Sequence, residues 1–199
     1  MRKNEYFQYF VEGEDERKLI NVLKSDLEFI LPRRVQIFNV TQQRLTKLRL
    51  MNLKRGTKVV LVFDTDEGNE LILRYNIEFL KGADVVSEVI CVTQVRNLED
   101  DLKRSCKMNQ IKDLLGSKSN KDFKHDLIKE KNLAGKLKKF QFNFSKFWDT
   151  IDKDRYREIK NEAYKIKKDN RKRNMSRVAH RVPLYGHTVV SQDVFIRHQ

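Results

Sequence analysis

Two stretches of the chain run from apolar residues directly into acidic residues and a glycine, and they constrain the fold more than any other feature. The first is Tyr6–Arg17, with the sequence YFQYFVEGEDER, and the second is Lys58–Asn69, with the sequence KVVLVFDTDEGN. Short aromatic and β-branched runs of this kind predict buried strands. Parallel strands that end in carboxylates bring those carboxylates together in the crevice where open α/β sheets bind ligands.

Apolar runs and helical patterns alternate through the first hundred residues. The pattern predicts strands at 6–12, Val35–Val40, 58–63 and Ser87–Val92, and helices at Glu14–Leu27, Gln42–Leu53 and Glu70–Leu80. Such alternation is typical of an α/β fold with a parallel sheet. We expect four strands in the order 2-1-3-4, because that order places the two strands that end in acids side by side.

The acidic residues at the two strand ends are the candidate site. Glu12, Asp64 and Asp66 are candidate catalytic residues and metal ligands. Glu16 and Glu99 are further candidate ligands, and acids in the first turn of a helix are also explained by the helix dipole alone. Because Mg²⁺ prefers a few carboxylates together with water, the pattern predicts one or two Mg²⁺ or Mn²⁺ ions.

The net charge of +14 is distributed unevenly along the chain. Residues 1–100 carry 16 Lys or Arg and 16 Asp or Glu, whereas the remaining residues carry 26 and 12. An acidic site joined to a basic appendage indicates a polyanionic partner such as DNA or RNA. A solvated lysine-rich surface, or recognition of an acidic partner protein, is the alternative. The candidate nucleic-acid-binding residues are Arg96, Lys103, Lys136, Lys138, Lys139, Arg171, Lys172 and Arg173.

The second half of the chain predicts basic helices at Met108–Leu115, Asn120–Lys129, Leu133–Leu137 and Ser145–Lys168. Phenylalanines and Trp148 alternate with lysines here, so they either stack on bases or pack the helices onto the sheet. Phe140, Phe142 and Phe144 alternate, which also permits a short edge strand. We expect a first domain at 1–107, a basic helical extension at 108–170 and a basic tail at 171–199.

Cysteine content and hydropathy restrict the setting of the protein. Cys91 and Cys106 have neither disulfide-framework nor zinc-site spacing, so we expect both to be packing residues. The apolar runs are strand-sized, and no secretory leader is apparent. We expect a cytoplasmic protein with no membrane partner.

The residues EGEDE after one strand and VFDTDEG after another resemble the TOPRIM domain, a Rossmann-like fold found in topoisomerases, primases and several nucleases. The resemblance covers roughly residues 4–107. It implies that Glu12 is a general acid/base or a metal ligand, and that Asp64 and Asp66 hold Mg²⁺. Glu16 and Glu99 are similar to further acids of the overcoming-lysogenization-defect nucleases.

Several TOPRIM activities require parts for which the sequence has no counterpart. A topoisomerase needs a domain with a nucleophilic tyrosine, a replicative primase needs a zinc module, and a fused ATPase needs a Walker-type loop. The resemblance therefore implies a stand-alone metal-dependent nuclease, acting in antiphage defence with a separately encoded ATPase or as a homo-oligomer. An RNA-maturing TOPRIM ribonuclease and a non-catalytic nucleic-acid-binding or regulatory subunit are the alternatives.

Overall fold

Four parallel strands form the central sheet of the computed structural model, which describes residues 6–168. They are β1 (Tyr6–Val11), β2 (Arg34–Ile37), β3 (Thr57–Asp64) and β4 (Val86–Gln94). Their order is β2-β1-β3-β4, so the predicted α/β fold and strand order are confirmed. The two central strands consist almost entirely of buried residues, as is usual for a parallel sheet that is covered on both faces.

Helices follow the strands and continue beyond the sheet. They are α1 (Glu14–Asn21), α2 (Lys47–Leu50), α3 (Glu70–Lys81), α4 (Leu98–Ser105), α5 (Ile111–Leu115), α6 (Phe123–Lys129) and α7 (Leu133–Lys139). A π-helical turn at Val22–Asp26 extends α1, and Ala163–Lys165 forms a 3-10 turn. No helix within residues 6–168 is long and apolar enough to cross a membrane.

The two faces of the sheet carry separate apolar layers. On one face α1, α4 and the helices α5–α7 pack together against alternate residues of the strands, including Val60 and Val62. On the other face α3 and the region around α2 pack against Phe10, Leu61 and Phe63. Both cysteines are buried and unpaired, which confirms that they are packing residues.

Residues beyond the predicted boundary at 107 belong to the same apolar core as the sheet. Leu114, Phe123 and Phe147 are buried in one cluster with Leu19 of α1 and Val62 of β3. The aromatic residues of this region therefore pack helices and loops onto the sheet. The predicted tail at 171–199 lies outside the described residues.

The predicted helix Gln42–Leu53 is wrong except for the single turn of α2. Asn39 accepts hydrogen bonds from the backbone amides of Thr41 and Gln42, which holds the chain in a turn. The buried side chain of Asn76, in α3, accepts from the amide of Leu45 and donates to the carbonyls of Val40 and Gln43. Because a distant side chain satisfies these backbone groups, the segment needs no helical hydrogen bonds.

The predicted helix Ser145–Lys168 is also wrong, because only Ala163–Lys165 has helical geometry there. The side chain of Asp152 accepts hydrogen bonds from the amides of Asp154 and Tyr156, and Trp148 has a positive φ of 58°. Local side-chain hydrogen bonds of this kind compete with a helix. The alternative of an edge strand at Phe140–Phe144 is wrong as well, since those residues form turns and irregular chain and none of them belongs to a strand.

Candidate functional site

The carboxylates at the ends of β1 and β3 lie next to each other. Phe10 of β1 is paired with Leu61 of β3, so Glu12 and Asp64 come at adjacent positions at the carboxyl edge of the sheet. The backbone of Asp64 forms a hydrogen bond with the Glu12 carboxylate. The hydroxyl of Thr41 lies 3.3 Å from Glu12 Oε1 and 2.8 Å from Asn39 Oδ1, so its single proton is shared between these two acceptors. The structure thus places together two of the three predicted catalytic residues.

Glu16 turns back from the first turn of α1 into the same cluster. Its Oε2 accepts a hydrogen bond from the backbone amide of Gly13 at 2.8 Å, and only 4% of the residue is exposed. This hydrogen bond is the capping contact expected at a helix start. The deep burial of Glu16 goes beyond a capping role, because caps usually lie at the surface.

The half-buried Glu12 and the buried Glu16 and Asp64 have carboxyl groups that resist ionisation. Burial raises the pKa of Glu12 to about 7, of Glu16 to about 8 and of Asp64 to about 9. Neighbouring acids add to the effect of burial: Asp15 raises the pKa of Glu16, and Glu16 and Glu12 raise that of Asp64. Such a cluster favours a bound proton or a bound cation, since like charges at close range in a buried site repel each other.

Three buried carboxylate oxygens in this region lack a hydrogen-bond partner within the described part of the chain. They are Asp64 Oδ1, Asp15 Oδ2 and Glu99 Oε2. Asp15 Oδ2 and the carboxylate of Glu99 lie within 4 Å of the ammonium group of Lys124, whereas Asp64 Oδ1 has neither a hydrogen-bond donor nor an ion-pair partner among the described residues. Buried polar atoms are normally satisfied, so Asp64 Oδ1 is the oxygen that is suited to a further donor or cation. Hard carboxylate oxygens are also the ligands that Mg²⁺ prefers, and the residues therefore fit such an ion in chemistry. Among residues 6–168, no group of three or more His, Cys, Asp or Glu side chains is arranged to hold a metal ion directly.

Asp66 lies at the rim of the cluster and not within it. It is exposed, and its Oδ2 accepts a hydrogen bond from the Asn97 side chain at 3.0 Å. The amides of Thr65 and Asp66 both donate to the carbonyl of Arg96. Because the loop after β4 holds the loop after β3, Asp66 has a fixed position beside Asp64.

Lys124 of α6 reaches the acidic cluster from the helical region, and the sequence analysis missed it. Its Nζ lies 3.6 Å from Asp15 Oδ2 and 3.5 Å from Glu99 Oε1. Burial lowers the pKa of Lys124, but Glu99, Asp15, Glu16 and Asp64 together raise it above its ordinary value. One lysine among the many basic residues of this segment carries no distinguishing sequence signal. Only the packing of α6 against α1 identifies it.

Tyr156 covers the loop that follows β3, and the sequence analysis missed this residue too. It is fully buried, its ring contacts Phe63 edge to face, and its hydroxyl donates to the carbonyl of Glu67 at 3.0 Å. Gly68 in the same loop has φ of +90°, and a Cβ there would lie 2.3 Å from Thr41 Oγ1. Glycine is therefore required at 68 for both conformation and space.

The predicted nucleic-acid-binding residues that the structure describes lie on the loop and helix after β4 and on α7. Arg96 and Lys103 both lie near Asp100, at 3.9 Å and 2.5 Å between charged atoms. Lys136, Lys138 and Lys139 belong to α7, which packs through Leu133 and Leu137 and leaves Lys138 and Lys139 exposed. Arg171, Lys172 and Arg173 lie outside the described residues.

The aromatic residues of the second half were expected either to stack on bases or to pack the helices onto the sheet. Several of them are buried and therefore cannot contact bases. Phe123 and Phe147 are fully buried, and Phe144 and Trp148 are 7% and 2% exposed. Phe144 stacks on Phe29 at 4.9 Å between ring centroids, and Phe147 contacts Trp148 at 4.5 Å. Packing is therefore their role.

No family model matches the chain, and no curated protein or solved structure is significantly similar to it. The class defined by fold and geometry is an α/β protein with a parallel four-stranded sheet and a buried carboxylate cluster at its carboxyl edge.

Proposed function

We propose that the protein is a metal-dependent nuclease that hydrolyses phosphodiester bonds in DNA or RNA. The observation that carries the proposal is the position of Glu12, Glu16 and Asp64 at the carboxyl edge of β1 and β3, with Asp64 Oδ1 buried and unsatisfied within residues 6–168. Open α/β sheets bind their ligands at this edge. The similarity of EGEDE and VFDTDEG to the TOPRIM motifs supports the same reaction class.

The residues that would hold Mg²⁺ or Mn²⁺ are Glu12 and Asp64, with Asp66 at the rim. Such an ion, when bound, would neutralise the carboxylates and polarise a phosphate oxygen. Thr41 contacts Glu12 Oε1 through its hydroxyl, which Asn39 Oδ1 also holds. The raised pKa of Glu12, about 7, suits it to accept or release a proton near neutral pH.

Lys124 supports the use of one metal ion in preference to two. The predicted second ion was assigned to Glu16 and Glu99, and Lys124 Nζ lies 3.5 Å from Glu99 Oε1. A fixed ammonium group there supplies positive charge on that side of the cluster and competes with a second cation. Lys124 would then stabilise negative charge that develops on the substrate phosphate.

A non-catalytic nucleic-acid-binding subunit is the second candidate function. The contacts of Lys124 with Asp15 and Glu99 favour it, because an ammonium group can compensate buried carboxylates without any metal ion. The action in antiphage defence with an ATPase, the RNA-maturing activity and the role of the α7 lysines stay predictions.

Cleavage assays with matched isosteric variants test the proposal. The purified full chain would be incubated with end-labelled DNA and RNA in the presence of Mg²⁺, Mn²⁺ or EDTA. Cleavage should require a divalent ion and should fall by at least about a thousandfold in Asp64→Asn and Glu12→Gln, since each change removes a ligand of the ion. Asp84→Asn is the control, because Asp84 is exposed just before the start of β4, away from the carboxyl edge of the sheet.

The outcomes separate the two candidate functions. Metal-dependent cleavage lost in Asp64→Asn and kept in Asp84→Asn supports the nuclease. Binding of nucleic acid by the wild type without cleavage under any condition would favour the non-catalytic subunit. Full cleavage by Asp64→Asn would remove the carboxylate cluster from the reaction.

A further inference from the structure

A long basic segment without acids lies inside the electrically neutral first half of the chain. Residues 29–63 contain eight Lys or Arg and no Asp or Glu. The net charge of residues 1–100 as a whole is zero, so this segment does not stand out in the total. The acids that offset its cations in that total lie outside residues 29–63, and some of them belong to the acidic cluster. The segment contains β2, the turn after it, α2 and most of β3, and three of its cations, Arg34, Arg44 and Arg49, belong to β2, to that turn and to α2.

A groove of about 490 Å³ opens on this part of the molecule. Its lining includes Arg34, Arg44 and Arg49 together with the amide side chains of Gln8, Gln36 and Asn52, and it contains no carboxylate. Arginine and amide side chains without acids are the groups that contact phosphate and sugar oxygens in nucleic-acid complexes. The composition of the lining therefore indicates an anionic ligand with further hydrogen-bonding groups.

The arginines of the groove are not neutralised by neighbouring carboxylates. Within residues 6–168, none of the three forms an ion pair with Asp or Glu, whereas Arg74, Lys81 and Arg157 elsewhere each do. The guanidinium of Arg44 lies 4.7 Å from the ring centroid of Tyr75, and that of Arg49 lies 4.3 Å from the ring of Phe38. An aromatic face orients a guanidinium group without cancelling its charge. These arginines are therefore held in place and remain available to phosphate.

The groove begins close to the acidic cluster. Gln43 is a lining residue, and it lies two residues beyond Thr41, whose hydroxyl contacts Glu12. Two residues span at most about 7.6 Å between Cα atoms. A polymer bound in the groove therefore passes within a short distance of the carboxylates. This proximity favours a polymer over a small free anion, because a small anion bound in the groove has no need to reach the carboxylates.

We propose that this groove, which we call the β2–α2 groove, binds the phosphate backbone of a single nucleic-acid strand and leads that strand to the carboxylate cluster. The proposal rests on the proposed nuclease function and names the surface that holds its substrate. A concave site accepts one strand, whereas reading a duplex requires an element that protrudes into a groove of the duplex. Leu48, which lines the groove and is 73% exposed, supplies apolar surface for bases or sugars.

Binding measurements in EDTA test the proposal separately from catalysis. A fluorescent single-stranded oligonucleotide would be titrated with the full chain at several salt concentrations. The test variant is Arg34→Met/Arg44→Met/Arg49→Met, in which unbranched side chains retain contact with Tyr75 and Phe38. The charge-matched control is Arg74→Met/Lys81→Met/Arg157→Met, which removes three exposed cations that are already ion-paired.

For the wild type, log K of binding falls with log salt. In the test variant the slope of that line should be smaller in magnitude by about 2, because each of the three lost phosphate contacts on a single strand contributes about 0.7. That change corresponds to roughly a hundredfold weaker binding at about 0.1 M salt if the curves converge near 1 M. The control should lose less than about threefold, since its cations are paired with carboxylates. Arg34→Gln alone changes an exposed side chain and should flatten the slope by about 0.7, which guards against a folding defect in the triple variant.

Three outcomes would overturn the assignment of the groove. They are superimposable curves for the wild type and the triple variant, equal losses in test and control variants, and binding of the wild type to anionic lipid vesicles but not to the oligonucleotide. The last result would assign the groove to a membrane surface. Failure of the nuclease proposal is recognised independently, as intact DNA and RNA after incubation of the wild type with Mg²⁺ or Mn²⁺.

Discussion

Asp64 illustrates how one residue can serve a site at the expense of the fold. The residue is 9% exposed, and burial together with Glu16, Glu12 and Asp66 raises the pKa of its carboxyl group to about 9. The folded state therefore favours the protonated form. The contribution of Asp64 to the stability of the folded state is fully present below the pKa that this group has in the unfolded chain, near about 4. That contribution is lost as pH rises through the folded pKa of about 9.

The prediction for Asp64→Asn follows from this loss of stability with rising pH. Without metal, the wild type should lose stability steadily from about pH 5 to about pH 9, whereas Asp64→Asn should lose less. At about pH 8 the variant should be more stable by up to about 5 kcal/mol, because its amide needs no proton to stay neutral and linkage amounts to about 1.4 kcal/mol for each of the roughly four pH units above the unfolded pKa. Urea unfolding in EDTA across this pH range measures the difference. Equal pH dependence of the two proteins would contradict the burial of an ionisable group at 64.

Most residues of the candidate site can be predicted from the sequence, because acids that directly follow an apolar strand are recognisable in the linear pattern. Glu12, Glu16 and Asp64 were identified in this way, and they lie together. Lys124 and Tyr156 were missed, since each reaches the site through packing between segments that are far apart in the chain. The basic groove was missed because the charge count covered residues 1–100 together, and acids outside residues 29–63 balance its cations in that count.

The helices and strands that were predicted correctly are those whose own residues determine their structure. The strands carry their own apolar runs, and α3 is predicted within one residue of its observed end at Lys81. Helix prediction failed at Gln42–Leu53, where Asn76 satisfies the backbone from more than thirty residues away. A single sequence contains no record of that partner, and helical propensity then gives the wrong result.

The loop between β3 and α3 provides a test at the element scale. Gly68 has φ of +90° and lies against Thr41, whereas Gly116, just after α5, has φ of +76° with open space around its Cβ position. Gly116→Ala should cost about 1 kcal/mol for the left-handed conformation alone. Gly68→Ala should cost about 2 kcal/mol more, because a Cβ must displace Thr41 or Tyr156.

Chemical unfolding of both glycine variants measures the difference directly. Gly68→Ala should also reduce cleavage, since the hydroxyl of Thr41 contacts Glu12. Gly116→Ala should leave cleavage unchanged. Equal losses of stability in the two variants would mean that the loop is not closed over Thr41 as the structure has it.

At the scale of the whole molecule, the carboxylate cluster and the arginine-lined groove occupy different places within residues 6–168. Buried acids including Glu16 and Asp64 lie at the carboxyl edge of the sheet, and Arg34, Arg44 and Arg49, which have no carboxylate partner there, line the β2–α2 groove. Helices α5–α7 share the core of the sheet, and α6 contributes Lys124 to the acidic cluster. The site is therefore a product of residues from both halves of the chain.

Calorimetric titration of the metal-free full chain with Mn²⁺ tests the central claim that the carboxylate cluster is a metal site. The account predicts one ion per chain, with binding lost in Asp64→Asn and Glu12→Gln and retained in Asp84→Asn. Affinity should increase from about pH 6 to about pH 9, because bound protons with pKa values of about 7 to 9 compete with the ion. Undiminished binding by Asp64→Asn, or no binding by the wild type at millimolar Mn²⁺, would contradict the account.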